Sequence, residues 1–314
     1  MSMPLPIVTV TLNPAIDQTV FVDQLVPGSM HRVSGSQRQA GGKGVNVATL
    51  LALGGAEVLV SGFLGEANAA IFEQHFSEHG LRDAFIRVSG ETRTGIKIVD
   101  TKTNETTDLN MVGPAPSEAQ CRALKEQLLE LAELGRWFVI AGSLPVGVEA
   151  AFVAQLIQAL RGVGAKVAID SSGPALGAAV EAGVDLAKPN EHELAELLGV
   201  KLEGVDSILV AARELRRERI PNLIVSMGRQ GALFLTAEAE LLVRAPKLNV
   251  VSTVGAGDAL LAGYLHGQQL GESLEGCARR ATVTAWSRLE SLKPRLPQGD
   301  ELSERLKRVR VEVT

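Results

Sequence analysis

Residues 137–170 decide the fold: WFVIA at Trp137–Ala141, a helical pattern over 148–161, then KVAID at Lys166–Asp170. Two short, β-branched apolar runs separated by one longer helical segment read as strand, helix and strand. The alternation continues in both directions. Residues 7–12, 57–63, 185–187 and 223–227 read as further buried strands, and helices are expected over 44–53, 67–78, 117–134, 190–198, 207–218 and 257–270. This alternation predicts an α/β fold with a mostly parallel central sheet covered by helices on both faces.

Two stretches, 19–37 and 84–111, break the pattern with polar interruptions and no good helix. Candidate strands at 19–23, 30–34, 94–100 and 106–111 are too polar for the central sheet. They predict a small β-sheet, inserted twice in the chain and projecting as a lid. The expected organisation is one domain over 1–314 carrying these two insertions.

The chain has 314 residues, 46% of them hydrophobic, enough to fill a large core. With 31 basic and 36 acidic side chains the formal charge is -5, which leaves no broad positive field for nucleic acid or an anionic membrane. Phosphorylated ligands must meet locally placed cations. The N-terminal residues lack the pattern of a secretion signal and no stretch could span a bilayer, so a cytoplasmic location is expected. Cys121 and Cys277 have neither zinc-site nor disulfide-framework spacing.

The strongest motif is Ser252-Thr253-Val254-Gly255-Ala256-Gly257-Asp258, opening into the helical run Ala259-Leu260-Leu261-Ala262-Gly263-Tyr264. Glycines at a helix start let backbone approach a ligand. Its free N–H groups and dipole favour an anion such as a phosphoryl group in transfer. A carboxylate at Asp258 beside bound phosphate is electrostatically awkward unless it has a task, and abstracting a proton from an attacking hydroxyl is the natural one. The structural alternative is that Asp258 complements the helix dipole. Leu260 stands where a dinucleotide fingerprint needs glycine, and the chain holds no G-x-x-x-x-G-K-[ST] phosphate loop.

A second glycine loop, Gly41-Gly42-Lys43-Gly44-Val45-Asn46-Val47-Ala48, sets a cation inside an anion-binding turn and an amide one turn later. Asn13-Pro14-Ala15-Ile16-Asp17 ends the first strand, at the sheet edge where α/β proteins bind ligands, and Asp17 there either chelates sugar hydroxyls or caps a turn. Arg93 precedes a lid strand and could clamp a phosphate as the lid closes; Lys97 either assists or decorates a strand face. Asn190 and Glu193 have capping-box spacing, or organise magnesium through water near nucleotide phosphates. Ser226 to Gly231 fits a hairpin turn, and Ser143 with its neighbours fits a strand-to-turn step. His75 and His79 are four apart without a glutamate or a third ligand, which weighs against a metal role.

Together these segments resemble the carbohydrate kinases of the PfkB group, within the ribokinase-like superfamily. The matches are Thr11-Leu12-Asn13-Pro14-Ala15-x-Asp17, Gly42-Lys43-Gly44-Val45-Asn46-Val47-Ala48, Gly142-Ser143-Leu144-Pro145, Lys188-Pro189-Asn190-x-x-Glu193 and Val254-Gly255-Ala256-Gly257-Asp258, in family order over nearly the whole chain. Within the group the likeness is to bacterial kinases of fructose 1-phosphate, through Gly62-Phe63-Leu64-Gly65, Glu91-Thr92-Arg93 with Lys97, and Thr107-Asp108-Leu109-Asn110. Kinases of tagatose 6-phosphate share much of this pattern, Lys43 included; the group's minor 6-phosphofructokinase typically has glycine at that position. A sugar-phosphate or nucleotide sensor on the same fold is the non-enzymatic alternative.

The resemblance implies a ribokinase-like fold, ATP and Mg2+, and a homodimer through the lid. It implies Asp258 as base and Gly255, Ala256 and Gly257 as anion hole. Asp17, Gly42, Lys43, Asn46, Arg93 and Ser143 are implied sugar-phosphate contacts. Lys188, Asn190, Glu193, Ser226, Gly228 and Gly231 fall on the nucleotide and magnesium side. Some relatives carry a second lid arginine near Thr107 and this chain does not, which would shift phosphate binding onto Lys43, Arg93 and Lys97.

Overall fold

The computed structural model describes residues 4–103, 105–291 and 293–314. In chain order the first half comprises β1 (Ile7–Thr11), β2 (Ala15–Val22), β3 (Gly35–Gly41), α1 (Lys43–Leu53), β4 (Val58–Gly65), α2 (Ala70–His79), β5 (Arg82–Val88), β6 (Thr94–Asp100), β7 (Thr106–Asn110) and α3 (Glu118–Leu131). There follow β8 (Trp137–Ala141), α4 (Ala150–Gly162), β9 (Lys166–Asp170), α5 (Gly173–Ala182), β10 (Leu186–Ala187), α6 (Glu191–Leu198), α7 (Gly204–Arg219) and β11 (Asn222–Ser226). The chain closes with β12 (Ala232–Leu235), β13 (Glu240–Arg244), α8 (Ala256–Gln269), α9 (Leu274–Leu289), α10 (Gly299–Arg308) and β14 (Arg310–Val313).

Ten strands form one sheet in the order β14-β13-β12-β11-β10-β9-β8-β1-β4-β5. From β5 to β11 every neighbouring pair is parallel, whereas β12 and β13 add as antiparallel hairpins and β14, arriving after α10, pairs antiparallel with β13. Every residue of β1 and β4 is buried, as a sheet covered on both faces requires. Alternate residues serve two separate cores. Val8, Val10, Phe138 and Ile140 pack with α3 to α7, while Ile7, Val139 and Ala141 pack with α1, α2, α8 and α9.

Four strands make the second sheet, in the order β3-β2-β6-β7. The chain enters it after β1 and again after β5, both at the carboxyl edge of the parallel strands, so the small sheet stands over that edge. Its outer strand β7 is exposed along its length.

The structure corrects the expected lid boundaries. Residues 30–34 form no strand; the partner of β2 is β3, Gly35–Gly41, paired antiparallel from Ala15↔Gly41 to Phe21↔Gly35. Residues 84–88 belong to β5, the parallel edge strand of the main sheet, rather than to the lid. GSQRQAG carries no apolar alternation because Ser36 to Gln39 are exposed on both faces of the small sheet, and RDAFIRV is polar because β5 is an edge strand of the main sheet with only Phe85 and Val88 buried.

Candidate active site

At the carboxyl edge of the parallel strands lies a cavity of about 420 Å³, roofed by the lid. Asp17 and Asn110 of the lid, Lys43 and Asn46 of α1, and Arg93 line it on one side. Asp170, Lys188, Asn190, Glu193 and Ser226 line it from the ends of successive strands, and Gly255, Gly257 and Asp258 from the mouth of α8.

Local structure explains why α8 begins where it does. Gly255 adopts a left-handed conformation with φ 78°, open to glycine at no cost, and turns the chain into the helix. The N–H groups of the first turn have no intrahelical acceptor and face an anion-favouring pole. Further along, Leu260, Leu261 and Leu265 are buried and anchor the helix in the core. At about 2 kcal/mol each, the three together outweigh the roughly 3 kcal/mol that an elevated carboxyl pKa at Asp258 represents.

Asp258 is buried, and its Oδ2 accepts one hydrogen bond, from Asn46 Nδ2 at 2.8 Å. Burial and the negative charge of Asp170 push its pKa up to about 6, against the opposing pull of Asn46, Lys43 and Lys188. Both carboxylates belong to one charge cluster. Lys43 Nζ donates to Asp170 Oδ1 at 2.9 Å, and Lys188 Nζ lies 3.1 Å from Oδ2. Burial opposes the charge of Asp170, yet Lys188 and Lys43 hold it ionised below the usual carboxylate range. For Lys43, burial is likewise outweighed by Asp170, and its pKa is pushed up to about 12. The Lys188 ammonium stands 3.2 Å from where a Cβ on Gly257 would lie, which sets it against the helix mouth.

Two further groups complete the walls. Lys97 Nζ donates to Asp17 Oδ1 at 2.6 Å, so these expected ligand groups neutralise each other. At the start of α6, Asn190 Oδ1 accepts from the N–H groups of His192 and Glu193, while Glu193 Oε2 accepts from Asn190 N–H: a full capping box. Asn190 therefore presents its amide N–H to the cavity rather than an oxygen. Glu193 Oε1 stays outside the box, 4.0 Å from Lys43 Nζ.

Of the residues expected at the site, Ala256, Ser143, Gly228 and Gly231 are not among those that line the cavity. Ser143 is exposed and accepts a hydrogen bond from Asn13. Gly231 sits where a Cβ would lie 2.2 Å from the Val243 carbonyl oxygen, a packing requirement of the β11–β12 hairpin region. Conversely, Asp170 was not anticipated. Its signal was a carboxylate closing an otherwise apolar strand at the ligand-binding edge. Arg288 of α9 was also missed; its Nε lies 3.2 Å from the Cβ position of Gly255.

A parallel sheet with glycine-led helix mouths, a buried carboxylate and converging cations defines a site for phosphoryl transfer. The chain belongs to the pfkB family of carbohydrate kinases, whose profile matches residues 10–297. It is 44% identical over 302 residues to the 1-phosphofructokinase of Rhodobacter capsulatus, covering 96% of each chain. Identity to the Xanthomonas campestris 1-phosphofructokinase is 43% over 295 residues, 92% of each. Among solved structures, phosphofructokinase-2 from Escherichia coli in complex with potassium superposes with a TM-score of 0.90 at 30% identity, over 96% of this chain and 98% of that one. No helix among the described residues is long and apolar enough to cross a membrane.

Proposed function

We propose that the chain transfers the γ-phosphoryl group of ATP to the C6 hydroxyl of fructose 1-phosphate, giving ADP and fructose 1,6-bisphosphate. The observation that carries this reading is the buried Asp258 at the glycine-led mouth of α8, facing a cavity lined by Lys43, Arg93 and Lys188. The names of the relatives, at 43% and 44% identity over nearly the whole chain, support the choice of sugar phosphate.

Asp258 takes the proton of the C6 hydroxyl as that oxygen bonds to the γ-phosphorus; the bond from phosphorus to the β–γ bridging oxygen breaks and ADP leaves. The first-turn N–H groups of α8 and the Lys188 ammonium stabilise charge on the transferring group. Asn46, by donating to Asp258 Oδ2, leaves Oδ1 as the receiving oxygen. Asp17, Gly42, Lys43, Asn46 and Arg93 serve the sugar-phosphate side, Arg93 taking the 1-phosphate. Lys188, Asn190, Glu193 and Ser226 serve the nucleotide side.

Among the described residues no group of three or more His, Cys, Asp or Glu side chains is gathered to hold a metal. Glu193, whose Oε1 is left free of the capping box, would be the protein group holding a hydrated Mg2+ that arrives with the nucleotide. Such an ion supplies neutralisation of phosphate charge when bound. Asn190 then donates its amide N–H to a phosphate oxygen.

A coupled assay of ADP release against fructose 1-phosphate, tagatose 6-phosphate, fructose 6-phosphate and free fructose tests the reading. The largest kcat/KM is expected for fructose 1-phosphate. Preference for tagatose 6-phosphate would replace the substrate, and no sugar-dependent ADP release from folded protein would leave a sensor.

A further inference from the structure

Arg93 has an unusual position among the cations of the cavity. Lys43 and Lys188 share Asp170, whereas among the described residues no carboxylate lies within 4.0 Å of the Arg93 guanidinium. Something other than a counter-ion must hold it, because a half-buried arginine without directed acceptors samples many rotamers.

Asn13 supplies those acceptors. Its Oδ1 accepts from Arg93 Nε at 3.0 Å, and its backbone oxygen accepts from Arg93 Nη2 at 3.3 Å. The same side chain faces the other way with its amide: Nδ2 donates to Ser143 Oγ at 3.1 Å and to the Leu144 carbonyl at 3.2 Å. One residue thus ties together the β1–β2, β5–β6 and β8–α4 connections. Gly113 covers the pair so closely that a Cβ there would lie 3.2 Å from Asn13 Oδ1. On the other side of Arg93, the backbone is fixed through Thr92, whose Oγ1 accepts from Gly65 N–H and whose N–H donates to Asn68 Oδ1. Asn13 itself is not among the residues lining the cavity.

We propose that Asn13 is a positioning residue that holds the Arg93 guanidinium, with neutral acceptors only, in the orientation that receives the substrate phosphate. The inference rests on the reading of Arg93 as the phosphate ligand. Neutrality is the point. Carbonyl acceptors orient a guanidinium without cancelling its charge, whereas a carboxylate at the same place would compete with the substrate phosphate.

The test is a double-mutant cycle on the full chain with fructose 1-phosphate and ATP. Arg93→Ala sets the scale, with an expected rise in sugar-phosphate KM of about 10- to 100-fold. Asn13→Ala should raise that KM by about tenfold and leave the KM for ATP within about twofold. In the Arg93→Ala background, Asn13→Ala should add less than about twofold, because its partner is gone. Asn13→Asp preserves size, serves if the alanine variant does not accumulate as folded protein, and should raise the KM at least as much. If Arg93→Ala leaves the sugar-phosphate KM unchanged, the phosphate reading of Arg93 falls and takes the inference with it. If Arg93→Ala raises the KM but the Asn13 variants shift both substrates equally, change nothing, or add in full to Arg93→Ala, Asn13 is only a structural tie and the proposal is overturned.

Discussion

Asp258→Asn is expected to lower kcat by about a thousandfold or more while the protein remains as resistant to heat as the parent, or becomes more so. The two halves of this expectation have one origin. Burial and the neighbouring Asp170 raise the Asp258 pKa to about 6. A folded-state carboxyl pKa above its unfolded value means that the native state binds the proton more tightly. Stability is then lost as pH rises from near 4 through about 6, and at neutral pH the charged carboxylate costs on the order of 3 kcal/mol. Asparagine removes that charge, keeps an oxygen for Asn46 Nδ2, and cannot take a proton. The parent enzyme should accordingly lose kcat/KM as pH falls through about 6, tenfold per unit, because only the ionised carboxylate acts as base. Steady-state kinetics across pH 5–8 with calorimetry of both proteins checks this. A variant that keeps more than a tenth of parental kcat would remove Asp258 from the chemistry.

Asp170→Asn should be the most destabilising single change at the site. Its carboxylate is buried between Lys43 and Lys188, and Lys188 is only 4% exposed, so little water reaches the ammonium left behind to replace its partner. Breaking a buried pair from one side costs about 3–5 kcal/mol, which for a chain of this size lowers Tm by roughly 5–10 °C. A second readout separates this from simple loosening of the core. Asp170 is a source of the negative field that raises the Asp258 pKa, so the acid limb of kcat/KM should move below its parental position in the variant. Unchanged Tm and an unchanged acid limb together would mean that the two lysines do not depend on Asp170.

Legibility of the fold in the sequence followed burial. Strands such as VAI within Lys166–Asp170 are enclosed on both faces and carry an unbroken apolar signal. β3, exposed from Ser36 to Gln39, and β5, an edge strand with only Phe85 and Val88 buried, carry weak apolar signals, and neither was expected as a strand in its place. No element was expected over β13, β14 or α5. The site divides in the same physical way. Glycine-led helix starts at Gly42 and Gly255 mark anion-binding backbone and are visible as local patterns, as is the capping box at Asn190. Asp170 pairs with Lys43 127 positions away and Asn13 with Arg93 80 positions away, while Arg288 arrives on a helix packed from elsewhere, and no local spacing encodes such a pairing. Gly231 was placed at the site by family likeness, whereas its surroundings explain it as a hairpin contact.

The central claim is that one buried carboxylate at the mouth of α8 faces both the attacking hydroxyl and the phosphoryl group. The most direct measurement is a crystal structure of the Asp258→Asn protein with ATP, Mg2+ and fructose 1-phosphate bound. The account predicts the C6 oxygen at about 3 Å from the residue 258 side chain, in line with a γ-phosphate held by the first-turn N–H groups of α8. A sugar phosphate bound with that oxygen more than about 6 Å away, or a γ-phosphate seated at a different helix, would contradict it.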